Sequence, residues 1–131
     1  MMPSPSNRKI KTFIADDSLL VRERLETMLD ELTGVEIVGQ ADNVTEATNA
    51  IRRLQPDVVI LDIHMPDGSG IDVLRNIKRD GAGPMVIILT NYPFSGYRQK
   101  CLDAGADFFL DKSTEFDQIP DLIKRYKPDQ P

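Results

Sequence analysis

Three carboxylates, a hydroxyl and an ammonium carry the chemistry legible in this chain. Asp16 and Asp17 follow the apolar run Thr12-Phe13-Ile14-Ala15, and Asp62 follows Val58-Val59-Ile60-Leu61. Thr90 ends Met85-Val86-Ile87-Ile88-Leu89, and Lys112 comes just after Phe108-Phe109-Leu110. Gathered on one edge, three carboxylates repel one another, so one takes up a proton unless a cation is bound. Oxygen ligands of this hardness suit Mg²⁺. A divalent cation and a lysine on opposite sides would clamp the equatorial oxygens of a transferring phosphoryl group, leaving Asp62 to attack in line. That reaction needs positioning and charge neutralisation more than a general base, and no general base is evident. Taken singly, each group has a plainer reading. Asp16-Asp17 would be a cap and a turn, Asp62 a solvated loop residue and Thr90 a β-branched strand end. Only the set points to chemistry.

The elements that must position this set follow from hydrophobic periodicity. Val58 to Leu61 reads as a central strand buried on both faces, and Met65-Pro66-Asp67-Gly68-Ser69-Gly70 turns the chain after it. Val35-Glu36-Ile37-Val38 reads as a second strand. Helical stripes run through Val21, Leu25, Met28 and Leu32, and through Val44, Ala47, Ile51 and Leu54. Others run through Ile71, Leu74 and Ile77, through Tyr97, Cys101 and Ala104, and from Phe116 to Tyr126. Asp17 or Ser18 can cap the first, Asn43 to Glu46 is a capping-box pattern for the second, and Gly81-Ala82-Gly83-Pro84 closes the third. Pro120 is tolerable in the first turn of the last. Lys127-Pro128 ends the structure. Five strands alternating with five helices predict an α/β fold, a doubly wound five-stranded parallel sheet with right-handed crossovers. In the flavodoxin-like order 2-1-3-4-5 the switch point lies between the first and third strands, which sets Asp16 and Asp17 beside Asp62.

The bulk numbers narrow the partners. A chain of 131 residues with 40% hydrophobic and 28% charged residues fits one domain, expected over 11–126 after a disordered lead-in at 1–10 and before a tail at 127–131. A formal charge of −5 with scattered Lys and Arg argues against nucleic acid or an anionic membrane as the main partner. One cysteine excludes an intrachain disulfide, and the short apolar runs give neither a bilayer span nor a signal peptide. A cytoplasmic protein, monomeric or weakly dimeric, is expected.

At its polar residues the chain resembles the receiver domain of bacterial two-component response regulators. The resemblance rests on Ile14-Ala15-Asp16-Asp17-Ser18, on Leu61 to Gly70, on Ile88-Leu89-Thr90, and on Ala104 to Lys112, and it extends from Lys11 to Tyr126. It implies that Asp62 accepts phosphoryl from the phosphohistidine of a sensor histidine kinase or phosphotransfer protein. It further implies that Asp16, Asp17, Asp62 and the backbone carbonyl of His64 surround Mg²⁺, that Lys112 contacts a phosphoryl oxygen, and that Thr90 is the switching hydroxyl. Such a phosphorelay receiver is not a turnover enzyme: it assists its own phosphorylation and changes which downstream protein it binds. Three positions depart from the common pattern. Ser113 stands where proline often follows the lysine, Asn91 replaces a small residue, and Phe109 occupies the place of a rotating aromatic that is often tyrosine.

Two other functions compete. An unphosphorylated interaction module would keep the fold but not the switch, against which stands the complete acid-threonine-lysine set. A phosphatase of the haloacid-dehalogenase type needs a second aspartate two residues after the nucleophile, where this chain has His64, its only histidine. Cys101 lies on a helical stripe and reads as a small buried hydrophobe. Phe94, Tyr97 and Arg98 form a partner-facing patch on one reading, while on the other Tyr97 belongs to the core.

Overall fold

The computed structural model describes residues 8–78 and 83–126. The expected tail at 127–131, most of the lead-in and the helix-closing Gly81-Ala82 lie outside the described residues. The elements are β1 (Ile10–Ala15), α1 (Leu19–Asp30), β2 (Val35–Ala41), α2 (Val44–Leu54), β3 (Val58–Leu61), β4 (His64–Met65) and β5 (Gly68–Ser69). They continue with α3 (Gly70–Ile77), β6 (Met85–Thr90), α4 (Ser95–Asp103), β7 (Phe108–Asp111), a 3₁₀ turn (Phe116–Gln118) and α5 (Ile119–Lys124). Five strands form one sheet in the order β2-β1-β3-β6-β7, with every neighbouring pair parallel. Counted along the chain, these long strands have the expected order 2-1-3-4-5.

Strand alternation divides the core into two layers. Val59 and Leu61 face Ala47, Ile51, Val73, Leu74 and Cys101 on one side of the sheet. Val58 and Ile60 face Leu25, Leu29, Ile119, Leu122 and Ile123 on the other. Helices thus cover both faces, which is why the central strands are apolar without a break. Cys101 is fully buried, as expected of a small hydrophobe, and burial pushes its thiol up to about 11.

Local chemistry sets the helix ends. Ser18, rather than Asp17, caps α1, its Oγ accepting the Val21 amide at 3.2 Å. Asn43 Oδ1 accepts the Glu46 amide at the start of α2, and Gln55 ends that helix in the left-handed region at φ +50°, just before Pro56. Ser69 and Asp72 form a reciprocal capping box on α3.

Four features differ from the expected elements. The second strand runs on to Ala41, past the expected Val38, with a register shift opposite Thr12/Phe13. There Gly39 lets Phe13 and Leu54 approach its backbone, since a Cβ would meet both at 3.0 Å. The turn after Asp62 contains a small antiparallel hairpin, β4 with β5. The last stripe is split, because Pro120 has no amide to continue a helix from Phe116. It sits in the first turn of α5 behind the 3₁₀ turn, and Phe116 remains buried. β1 starts at Ile10, two residues before the expected strand at Thr12.

Candidate functional site

The parallel ladder continues past the strand ends and fixes the acidic residues side by side. Asp16 N–H donates to Ala41 O at 3.0 Å, Asp62 N–H to Ala15 O at 2.9 Å and Lys112 N–H to Thr90 O at 2.8 Å. Three strands thereby deliver Asp16, Asp62 and Lys112 to the carboxyl edge of the sheet. Asp16 and Asp62 are 2% and 6% exposed and Lys112 is 9% exposed, so this is charge held largely out of water. Asp17, the next residue, is exposed.

Lys112 lies between the carboxylates rather than simply facing them. Its Nζ is 2.7 Å from Asp16 Oδ2 and 3.1 Å from Asp62 Oδ2. Desolvation works to lower the ammonium, but the hydrogen bond to Asp16 and the charges of Asp62 and Asp16 hold it above its usual value. Asp62 is pushed up, first by burial and then by the Asp16 charge, against the opposing pull of Lys112. The repulsion expected from the sequence is therefore present and only partly offset by one lysine.

Carboxylate oxygens of Asp16, Asp17 and Asp62 lie within 4.8 Å of one another, a cluster that could hold a metal ion. The donor set is hard oxygen, and Asp62, raised first by burial and then by the Asp16 charge, would be eased by a small divalent cation beside it. The residues present thus fit such an ion.

Thr90 is fully buried at the end of β6, where its Oγ1 accepts the Tyr92 amide at 3.0 Å. His64 is exposed, and its ring meets the edge of Tyr92 at 4.2 Å and of Tyr97 at 5.6 Å between centroids. Tyr97 packs against the core from α4, as one reading of the fourth helix has it, with its ring 6.4 Å from that of the exposed Phe94. Phe109 is buried, with the Arg98 guanidinium 5.8 Å from its ring centre. Ser113 donates its amide to Asp111 Oδ1 at 2.8 Å, and no cis peptide occurs among the described residues.

Sequence reasoning missed two supports. Arg22 donates from its guanidinium to the Asp16 carbonyl at 2.7 Å, securing the acidic loop from the first turns of α1. Gly70 starts α3 directly against the Asp62 backbone, where a Cβ would collide with the Asp62 carbonyl. The glycine was legible as a turn residue, but its close approach was not. Arg22 sits between apolar positions of α1 and carries no signal of its own.

Comparison with known proteins agrees with this geometry. The sequence model of the response regulator receiver domain matches residues 12–124. An uncharacterized transcriptional regulatory protein, YvfU of Bacillus subtilis, is 39% identical over 116 residues, covering 88% of this chain and 58% of that protein. A protein-glutamate methylesterase/protein-glutamine glutaminase of Alkalilimnicola ehrlichii is 38% identical over 106 residues, 79% of this chain and 27% of that protein. The chain therefore spans somewhat more than half of the first relative and about a quarter of the second. Among solved structures, the response regulator domain of Thermotoga maritima CheB superposes with a TM-score of 0.81 at 30% identity, covering 95% of this chain and all (100%) of that one. A chain of the CheX-CheY-BeF3-Mg+2 complex from Borrelia burgdorferi gives a TM-score of 0.75 at 26% identity, covering 88% of this chain and 90% of that one. With the polar residues on the expected strand ends and the match running through nearly the whole fold, the chain belongs to the response regulator receiver domains of two-component signalling.

Proposed function

We propose that the chain is a phospho-accepting receiver whose unit is 11–126 and whose acceptor is Asp62. The observation that carries this reading is the single ammonium of Lys112 shared by two buried carboxylates, one of which, Asp62, is raised by burial and by its neighbour. Asp62 has the position of a nucleophile whose charge is only partly neutralised by the shared lysine.

Asp16, Asp17, Asp62 and the carbonyl of His64 would hold Mg²⁺. When bound, the cation would supply charge neutralisation at the transferring phosphoryl group. An Asp62 carboxylate oxygen attacks phosphorus of a phosphohistidine on a sensor kinase or phosphotransfer protein. The new bond is P–O, the P–N bond breaks, and the imidazole leaves with the bonding pair. Lys112 passes from Asp62 to a phosphoryl oxygen, and Asp16 keeps the ammonium in place. Thr90 turns its hydroxyl toward the same group. The added charge of about −1.5 to −2 shifts a two-state surface and with it the choice of downstream protein. The chain acts in the cytoplasm as an acceptor that returns to its starting state by hydrolysis, not as a turnover enzyme. No helix among the described residues is long and apolar enough to cross a membrane.

Incubation with a small phosphodonor and Mg²⁺, followed by intact mass measurement, tests this reading. The expected result is one phosphoryl group, lost on chelation of Mg²⁺ before labelling and absent in Asp62→Asn. Equal labelling of that variant would move the acceptor elsewhere.

A further inference from the structure

The loop after Asp62 is closed on itself. Gly70 N–H donates to Ile63 O at 2.6 Å, and His64 and Met65 pair with Ser69 and Gly68 across the hairpin. Its tip is fastened to a different helix. Asp67 Oδ1 accepts the Val44 amide at 2.6 Å, and Oδ2 accepts the Thr45 amide at 3.1 Å and the Thr45 hydroxyl at 3.0 Å. Gly68 fits the tip against the same helix, since a Cβ there would touch Val44 Cγ2 at 3.4 Å.

Helix α2 already has a cap of its own, because Asn43 serves the third amide, that of Glu46. Asp67 takes the first two, which that cap leaves open. These are bonds to a carboxylate, stronger than neutral ones, and they span 22 and 23 residues of sequence. They fix the hairpin as a body against α2, and His64 belongs to that hairpin, paired with Ser69.

We propose that Asp67 is a positioning residue for the cation site: its contact with the N-terminus of α2 holds the His64 carbonyl in place for the ion. This rests on the receiver reading above and deepens it. Coupling between two sites is reciprocal, so a cation that orders the hairpin must tighten the Asp67 contact by as much as that contact strengthens the cation.

Calorimetric titration with Mg²⁺ of the wild type, Asp67→Asn and Thr45→Ala tests the proposal, alongside amide hydrogen exchange of the wild type with and without Mg²⁺. Asp67→Asn is expected to weaken Mg²⁺ roughly tenfold, the scale seen when groups that orient metal ligands are removed. Thr45→Ala, which deletes one of the three donors, is expected to weaken it less. Saturating Mg²⁺ slows exchange at the Val44 and Thr45 amides of the wild type, a change that a mere helix cap would not produce. Wild-type affinity in folded Asp67→Asn, or unchanged exchange at these amides, overturns the proposal alone. If Asp67→Asn does not fold, the exchange measurement decides by itself. A wild type that binds no Mg²⁺ overturns the receiver reading together with this one.

Discussion

Two buried aspartates bracket the same four-residue strand. Asp57 precedes β3 at 8% exposure and Asp62 follows it at 6%, so neither burial nor strand position tells them apart. Their partners do. Asp57 Oδ2 accepts the Lys11 amide at 2.9 Å, and Oδ1 accepts the Arg8 guanidinium at 2.9 Å and the Tyr126 hydroxyl at 3.1 Å. Asp62 shares one ammonium with a second carboxylate and is raised by that neighbour. At the amino edge of the sheet a buried charge is satisfied and ties the two described ends of the chain together. At the carboxyl edge a buried charge has to share its one ammonium with a second carboxylate, a state that ligand chemistry can use.

Removing the satisfied charge should produce the larger loss of stability. Asp57→Asn leaves Arg8 without its partner and confronts the Lys11 amide with an amide nitrogen or a neutral oxygen. A loss of about 1 to 3 kcal/mol is expected, the cost of leaving the Lys11 amide without its acceptor, with nothing assigned to the exposed Arg8. Chemical denaturation measures it. Phosphoryl labelling of the folded fraction should be unchanged, since nothing at Asp57 reaches the acidic cluster. A variant that kept full stability would show that satisfaction does not separate the two aspartates.

The charge with the shared partner should behave in the opposite sense. Asp62 has a folded-state value above its unfolded one, so in the interval between them the folded protein holds the proton more tightly. Stability then falls as pH rises through that interval, and at neutral pH the ionised Asp62 is a net cost. Asp62→Asn should therefore be more stable than the wild type at pH 7, by a smaller amount than Asp57→Asn loses. The gap should close as pH drops below the ordinary aspartate value of about 3.9. Thermal unfolding across pH without Mg²⁺ reads it. A less stable Asp62→Asn would mean that Lys112 more than offsets the burial of the carboxylate.

The sequence made one edge far more legible than the other. Asp16, Asp62, Thr90 and Lys112 each follow an apolar run, and parallel strands must bring their carboxyl ends to one edge, so their convergence follows from local pattern and topology. Asp57 reads only as part of Gln55-Pro56-Asp57, a helix stop. Its partners lie 46, 49 and 69 residues away, and no local spacing announces them. Asp67 reads as a turn residue, yet its bonds go to another helix. The hairpin after Asp62 was hidden for a similar reason: two-residue strands have no period to detect. The shared position of Lys112 was out of reach because it depends on side-chain conformation, not on strand order.

The smallest test lies in the hydroxyl of Tyr126. Asp57 Oδ1 keeps the Arg8 guanidinium when that hydroxyl is removed, so Tyr126→Phe deletes one bond and strands no charge. A cost of about 1 kcal/mol is expected. Its pH dependence locates the loss. Burial and the Asp57 charge raise the phenol, and Arg8 opposes them. With the folded value above the unfolded one, the contribution of the hydroxyl is complete below about pH 10 and disappears as pH rises through the folded value. Wild-type and Tyr126→Phe stabilities should therefore differ at neutral pH and converge in alkali. The Asp62 effect, by contrast, fades on the acid side. A difference that persisted at high pH would assign the loss to packing of the ring edge and remove Tyr126 from the set of groups that satisfy Asp57.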